Sequence, residues 1–195
     1  KGAEACLDVL SERDYVGVVA LDDYYLDGLN LTPRTQRDKI LSAINSLKDA
    51  AGGGTVFSAG LMRAGRLLAA QTDVERRHII LITDGEPSDQ DTEQYKYWMQ
   101  ENAKAGITHS IIGVQATATA AANMKNLLVE FGSMTNDNYH NVTNITNVPS
   151  AILKDLSAPE IKDVNYKTFT PTINTINSVT AGILQEDMPT LDGFY

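Results

Sequence analysis

Cysteine is nearly missing from this chain. One residue of 195, Cys6, is a cysteine, so no intrachain disulfide can form. Cys6 shares an apolar helical face with Ala3, Leu7 and Leu10 and reads as a core residue rather than a nucleophile. Lack of disulfides is compatible with the cytoplasm and equally with many bacterial surface proteins. Long apolar runs are missing too. None reaches the roughly 18 residues that a membrane helix requires, and no signal peptide is visible, so this stretch is expected to make no membrane contact. Basic residues are few, with 16 Lys and Arg against 25 Asp and Glu, for a formal net charge of -9. No basic stripe exists. The longest basic cluster, Arg76-Arg77-His78, leads into an apolar run and reads as a solvated strand entrance. Nucleic-acid binding, which requires clustered cations against phosphates, is excluded on this ground. Histidine is scarce as well. His78, His109 and His140 are scattered without metal-ligand spacing and are assigned core or surface roles. Ser58 and Ser88 have no Gly-x-Ser-x-Gly elbow and no arranged partners for a catalytic triad.

What is present is a regular alternation of strand and helix patterns. Tyr15 to Leu21 is a short apolar run, as in a strand buried on both faces. Residues 24–31 suit a short edge strand. Thr35 to Ala51 places Ile40, Leu41, Ile44 and Leu47 on one helical face, and a second helix follows with Phe57, Leu61, Ala64 and Leu68 in register. His78 to Thr83 is the strongest strand pattern. A helix over 91–105 turns Tyr95, Trp98 and Met99 inward, a strand covers Thr108 to Val114, and a helix over 119–131 carries Met124, Leu127, Leu128 and Phe131. Tyr139 to Thr143 reads as a last strand. Pro149 opens a short helix with Ile152, Leu153 and Leu156. Such alternation predicts an α/β fold, a Rossmann-like, doubly wound, mostly parallel sheet with helices on both faces. Ligands of such sheets bind at the carboxyl ends of the strands, where Asp22-Asp23, Asp84-Gly85 and the triglycine loop fall. After Ser157 the composition shifts to Thr, Asn and Pro. The expected organisation is one domain over 1–156 and a linker, or the start of a following module, over 157–195.

Two segments carry chemistry. Gly52-Gly53-Gly54-Thr55 precedes a helix. Consecutive glycines permit close backbone approach to a ligand, while the structural role open to Thr55 is that of an N-cap. The loop has neither the Gly-Lys-Ser/Thr ending nor a nearby lysine that a phosphate loop requires. The second segment is Leu81-Ile82-Thr83-Asp84-Gly85. An aspartate at the carboxyl end of a buried strand is placed for cation chemistry, and Asp-Gly is also an ordinary turn pair.

Taken in order with Asp14 to Asp23, these segments resemble the von Willebrand factor A family, whose sheet-top loops form a metal-ion-dependent adhesion site. The likeness runs from the first helix to about Leu156. It implies that Thr55 matches the second-loop metal ligand and Asp84 the third-loop aspartate. Mg²⁺ or Mn²⁺ in the intact parent protein would use such hard oxygen donors, and a carboxylate from a protein partner would complete the shell. The implied activity is protein or ligand binding and not catalysis. The alternatives are a structural domain without metal dependence, and a Rossmann-like hydrolase that uses Asp84.

The family's first loop supplies Asp-x-Ser-x-Ser, and this sequence has no such pattern. Thr55 and Asp84 alone make an incomplete site, expected to be weak or empty in this chain by itself. The strand that carries that motif lies, in this family, between the strand ending at Leu21 and the one ending at Thr83. Its place is expected to be filled by a neighbouring copy through dimerisation or strand exchange, by a strand from the 165–185 tail (Ile176 to Leu184 is the most β-branched piece), or by further chain. Both ends read as cut from a larger protein. The tail, Thr180 to Leu184 with Met188 to Tyr195, resembles the linker of bacterial membrane proteins in which an A-type domain precedes a glutamine-amidotransferase-like domain. That implies a membrane-anchored parent with this domain extracytoplasmic.

Overall fold

The structure is a computed structural model that describes residues 7–8, 10–21, 26–47, 54–157 and 170. Cys6, Asp22-Asp23, Gly52-Gly53 and the segment 176–184 lie outside them. The chain divides into two compact units, Lys1–Ser157 and Ala158–Tyr195. Apart from Thr170, the described residues belong to the first.

Among the described residues of that unit, the strands and the longer helices follow one another in order. They are β1 (Tyr15–Ala20), β2 (Leu26–Pro33), α1 (Arg37–Ser46), α2 (Phe57–Ala69), β3 (His78–Thr83), α3 (Thr92–Lys104), β4 (Thr108–Val114), α4 (Ala118–Glu130), β5 (Tyr139–Val142) and α5 (Val148–Ser157). β3, β4 and β5 form a parallel sheet in that order, with His78 opposite Thr108 and Ile111 opposite Tyr139. β1 and β2 form a separate antiparallel pair, irregular around Val18. The pattern over 24–31 thus becomes an eight-residue strand. Gly28 is needed there, because a Cβ would stand 2.9 Å from the Val18 carbonyl oxygen. Among the described residues no strand lies between β1 and β3.

Side-chain alternation along the parallel strands splits the core into two layers. Ile79, Leu81, Ile111 and Tyr139 face α2, α3 and α4, where they meet Phe57, Leu61, Met99, Met124 and Leu128. On the other face Ile112 and Val142 pack against Val148 and Ile152 of α5. β4 is the middle strand and is buried from His109 to Gly113. Helices cover both faces, as the doubly wound fold requires. α2 and α3 approach closely at Gly65, where a Cβ would collide with the Asn102 amide. Asn102 is buried and donates to the Leu61 carbonyl at 3.1 Å, so the contact that needs glycine also satisfies a polar group. Of the aromatic pair on α3, Trp98 is only half-buried, edge-on to Tyr97 with the Arg66 guanidinium 5.6 Å from its ring.

Candidate functional site

The carboxyl end of β3 opens directly onto the loop that carries Asp84. The turn does not depend on that side chain. The Thr83 hydroxyl accepts from the Gly85 N–H at 3.2 Å and donates to the Gly85 carbonyl at 3.0 Å, so Thr83 holds the Asp84-Gly85 turn. Asp84 is exposed. Further along, Glu86 accepts from the Asn123 amide of α4 at 3.0 Å.

Thr55 is half-buried, and the N-cap role is not its own. α2 begins at Phe57, Val56 occupies the cap position, and no side chain of that residue caps the helix. The capping group comes from the Asp84 loop. Asp89 Oδ2 accepts from the Phe57 N–H at 2.7 Å and Oδ1 from the Ser58 N–H at 2.9 Å. A carboxylate there satisfies two of the helix's orphan donors and complements its dipole. Ser88 grips the residue before the cap. Its hydroxyl accepts from the Thr55 N–H at 2.7 Å, and its own N–H donates to the Thr55 carbonyl at 2.9 Å. The loop bearing Asp84 is therefore tied to the backbone of Thr55, Phe57 and Ser58.

The Thr55 hydroxyl and the Asp84 carboxylate have no hydrogen-bond or ion-pair partner among the described residues. Two hard oxygen donors on loops bonded to each other suit Mg²⁺ or Mn²⁺ in kind. They supply only part of an octahedral shell, and no three His, Cys, Asp or Glu side chains among the described residues are grouped to hold a metal. Neither Ser88 nor Asp89 is legible as a functional residue in the sequence. Their only signal is a Ser-Asp pair a few residues beyond a strand-end Asp-Gly.

A second polar cluster lies on the α5 face of the sheet, and here the reading of the histidines as scattered is corrected. Parallel pairing and alternation bring His78 of β3 and His140 of β5 to the same face. There both meet Asp155 of α5, at 2.8 Å from His78 Nε2 and 3.2 Å from His140 Nε2. Ser110 donates to the same carboxylate at 2.5 Å, and His78 Nδ1 lies 2.6 Å from the Thr108 hydroxyl. The Asp155 side chain is 3% exposed. Burial opposes its ionisation, but hydrogen bonds from His140, His78 and Ser110 outweigh that and hold the carboxyl well below its usual range. His109, on the opposite face of β4, is fully buried, and its ring nitrogens have no partner among the described residues. Burial, aided by nearby His78, lowers its pKa to about 4. Sequence spacing conceals this cluster because its members are brought together only by strand register and by the return of α5.

Comparison with known proteins follows the same outline. No curated protein sequence shows significant similarity to the chain. Among solved structures, the pilus adhesin SpaC from Lactobacillus rhamnosus GG superposes with a TM-score of 0.67 at 14% identity, over 80% of this chain and 27% of the adhesin. Proximal thread matrix protein 1 from the mussel byssus, solved with its MIDAS motif occupied by zinc, gives 0.61 at 16% identity, over 78% of this chain and 38% of that one. BatB from Bacteroides thetaiotaomicron gives 0.59 at 21% identity, over 80% of this chain and 83% of BatB. The chain thus spans well under half the length of the adhesin and of the mussel protein. The model of the von Willebrand factor type A domain matches residues 5–157. With the doubly wound fold and the sheet-top loops in the expected order, the chain belongs to the von Willebrand factor type A domain family.

Proposed function

We propose that this domain binds a protein partner at the carboxyl end of its parallel sheet, with a divalent cation held in part by Thr55 and Asp84. One observation carries the reading. Both side chains are relieved of the structural duties the sequence offered them, since Asp89 caps α2 and Thr83 holds the Asp-Gly turn. A bound Mg²⁺ or Mn²⁺ would supply an electrophilic centre open to a carboxylate of the partner. The chain's own contribution is to present a neutral hydroxyl and one carboxylate on braced loops, which leaves much of the cation's charge uncompensated. The remaining donors come from water, from the partner, and from residues beyond those described. The role is binding without turnover. Family membership supports it, as do an adhesin and a metal-loaded matrix protein among the folds it resembles. A likeness in fold to an aerotolerance-related membrane protein from Bacteroides fragilis and the tail's resemblance to a linker support a bacterial, membrane-anchored parent with this domain outside the cytoplasm.

The test is calorimetric titration of Mn²⁺ into the intact protein. Saturable heat that disappears in both Thr55→Val and Asp84→Ala is the expected result. No heat in the unaltered protein refutes the cation and favours a purely structural domain. Phosphatase activity that is lost on Asp84→Asn would instead establish the hydrolase reading.

A further inference from the structure

We infer that Ser88 and Asp89 are positioning residues for the cation site, setting where Thr55 stands relative to Asp84. The inference rests on the reading of Thr55 and Asp84 as metal ligands. Its own basis is the set of four hydrogen bonds that run from one dipeptide to one short backbone stretch. Ser88 uses its hydroxyl and its amide to bracket Thr55, at 2.7 and 2.9 Å. Asp89 uses both carboxylate oxygens on the amides of Phe57 and Ser58, at 2.7 and 2.9 Å. Only Val56 is passed over.

Three consequences follow for a cation. The Thr55 backbone cannot rotate or translate without breaking bonds to the loop that holds Asp84, so the two donors move as one body. The Thr55 hydroxyl is spared from capping, because Asp89 has taken that task, and its lone pairs stay available. Asp89 also places a negative charge at the amino terminus of α2. The partial positive charge of that terminus would otherwise oppose a cation held at the neighbouring residue. Outer-shell groups of this kind orient ligands without touching the metal, and their loss typically weakens metal affinity by about 10- to 100-fold.

The experiment measures Mn²⁺ affinity and amide hydrogen exchange on the intact protein for Ser88→Ala, Ser88→Thr, Asp89→Ala and Asp89→Asn, beside Thr55→Val and Asp84→Ala. Ser88→Ala is expected to weaken Mn²⁺ by about 10-fold or more and to speed exchange at the Thr55 amide. Ser88→Thr, which restores the hydroxyl, is expected to recover both. Asp89→Asn keeps one acceptor and loses the charge, and is expected to fall between wild type and Asp89→Ala. If Asp89→Ala does not fold, the Ser88 pair decides. Mn²⁺ affinity of Ser88→Ala within twofold of wild type, while Thr55→Val abolishes binding, overturns the positioning role and leaves the ligand assignment intact. Binding that survives both Thr55→Val and Asp84→Ala, or is missing from wild type, overturns the ligand assignment and this inference with it.

Discussion

Replacing Asp155 with alanine should be among the most damaging single changes in the domain. The carboxylate is buried between α5 and the sheet and accepts from His78, His140 and Ser110 at once. Alanine removes all three acceptor contacts and leaves three buried donors facing a void. An unsatisfied buried donor costs about 1–3 kcal/mol, and three of them lose their acceptor here. These effects overlap, since a freed histidine can change tautomer, so the total falls short of three full penalties. A loss of about 3–5 kcal/mol is a large share of the roughly 5–15 kcal/mol that holds a domain folded. For a chain of this size it lowers the midpoint of thermal unfolding by roughly 6–20 °C. The assay is urea unfolding of the full chain at neutral pH, followed by circular dichroism and by the fluorescence of Trp98. A double-mutant cycle of Asp155→Ala with His78→Ala adds the coupling, expected to exceed about 1 kcal/mol for residues in one network. A loss below about 1 kcal/mol, or strict additivity in the cycle, would refute the view that this carboxylate ties α5 to the sheet.

Acid should act on the fold in two stages. His109 has a folded pKa lowered to about 4, so between about pH 6.5 and 4 the unfolded chain binds a proton that the folded chain refuses. Stability then falls with falling pH, with a slope of up to about 1.4 kcal/mol per pH unit from this group. His109→Met should flatten that stretch of a pH series of urea melts, and an unchanged slope would count against the buried imidazole. Asp155 has a depressed folded pKa, so its contribution is fully present above the unfolded value of about 3.9 and is lost as pH falls below it. Asp155→Asn should therefore lose less than wild type over that lower window. Gln115 sits just past β4 with φ of 56°, a region costly for residues other than glycine. Gln115→Gly should be neutral or stabilising by up to about 1 kcal/mol, despite loss of a long 3.4 Å contact to the Thr143 carbonyl. A clear destabilisation in thermal melts would show that this contact outweighs the backbone strain.

Much of the fold is legible in the amino-acid pattern because it is local. His78 to Thr83 and Thr108 to Val114 are β-branched, apolar runs that form strands at the expected positions. The helix expected over 119–131 forms as Ala118–Glu130, with the Thr117 hydroxyl capping it. Thr55 and Asp84 could likewise be singled out from glycine placement and strand ends, and each lies on the loop expected of it. Their freedom from structural work could not be read. It depends on Thr83 and Asp89, and the Asp89 contacts join segments more than thirty residues apart.

The sequence by itself determined the alternation of strands and helices, the acidic balance of charge and the loop positions of Thr55 and Asp84, because periodicity, charge and turn chemistry act over a few neighbouring residues. The tertiary structure alone decided that Ser88 brackets Thr55 while Asp89 caps the helix that follows it, and that two distant histidines and Ser110 converge on Asp155. Hydrogen bonds between remote segments are fixed only once strand register and helix return have set which faces meet, and neither quantity is written in the spacing of any one segment.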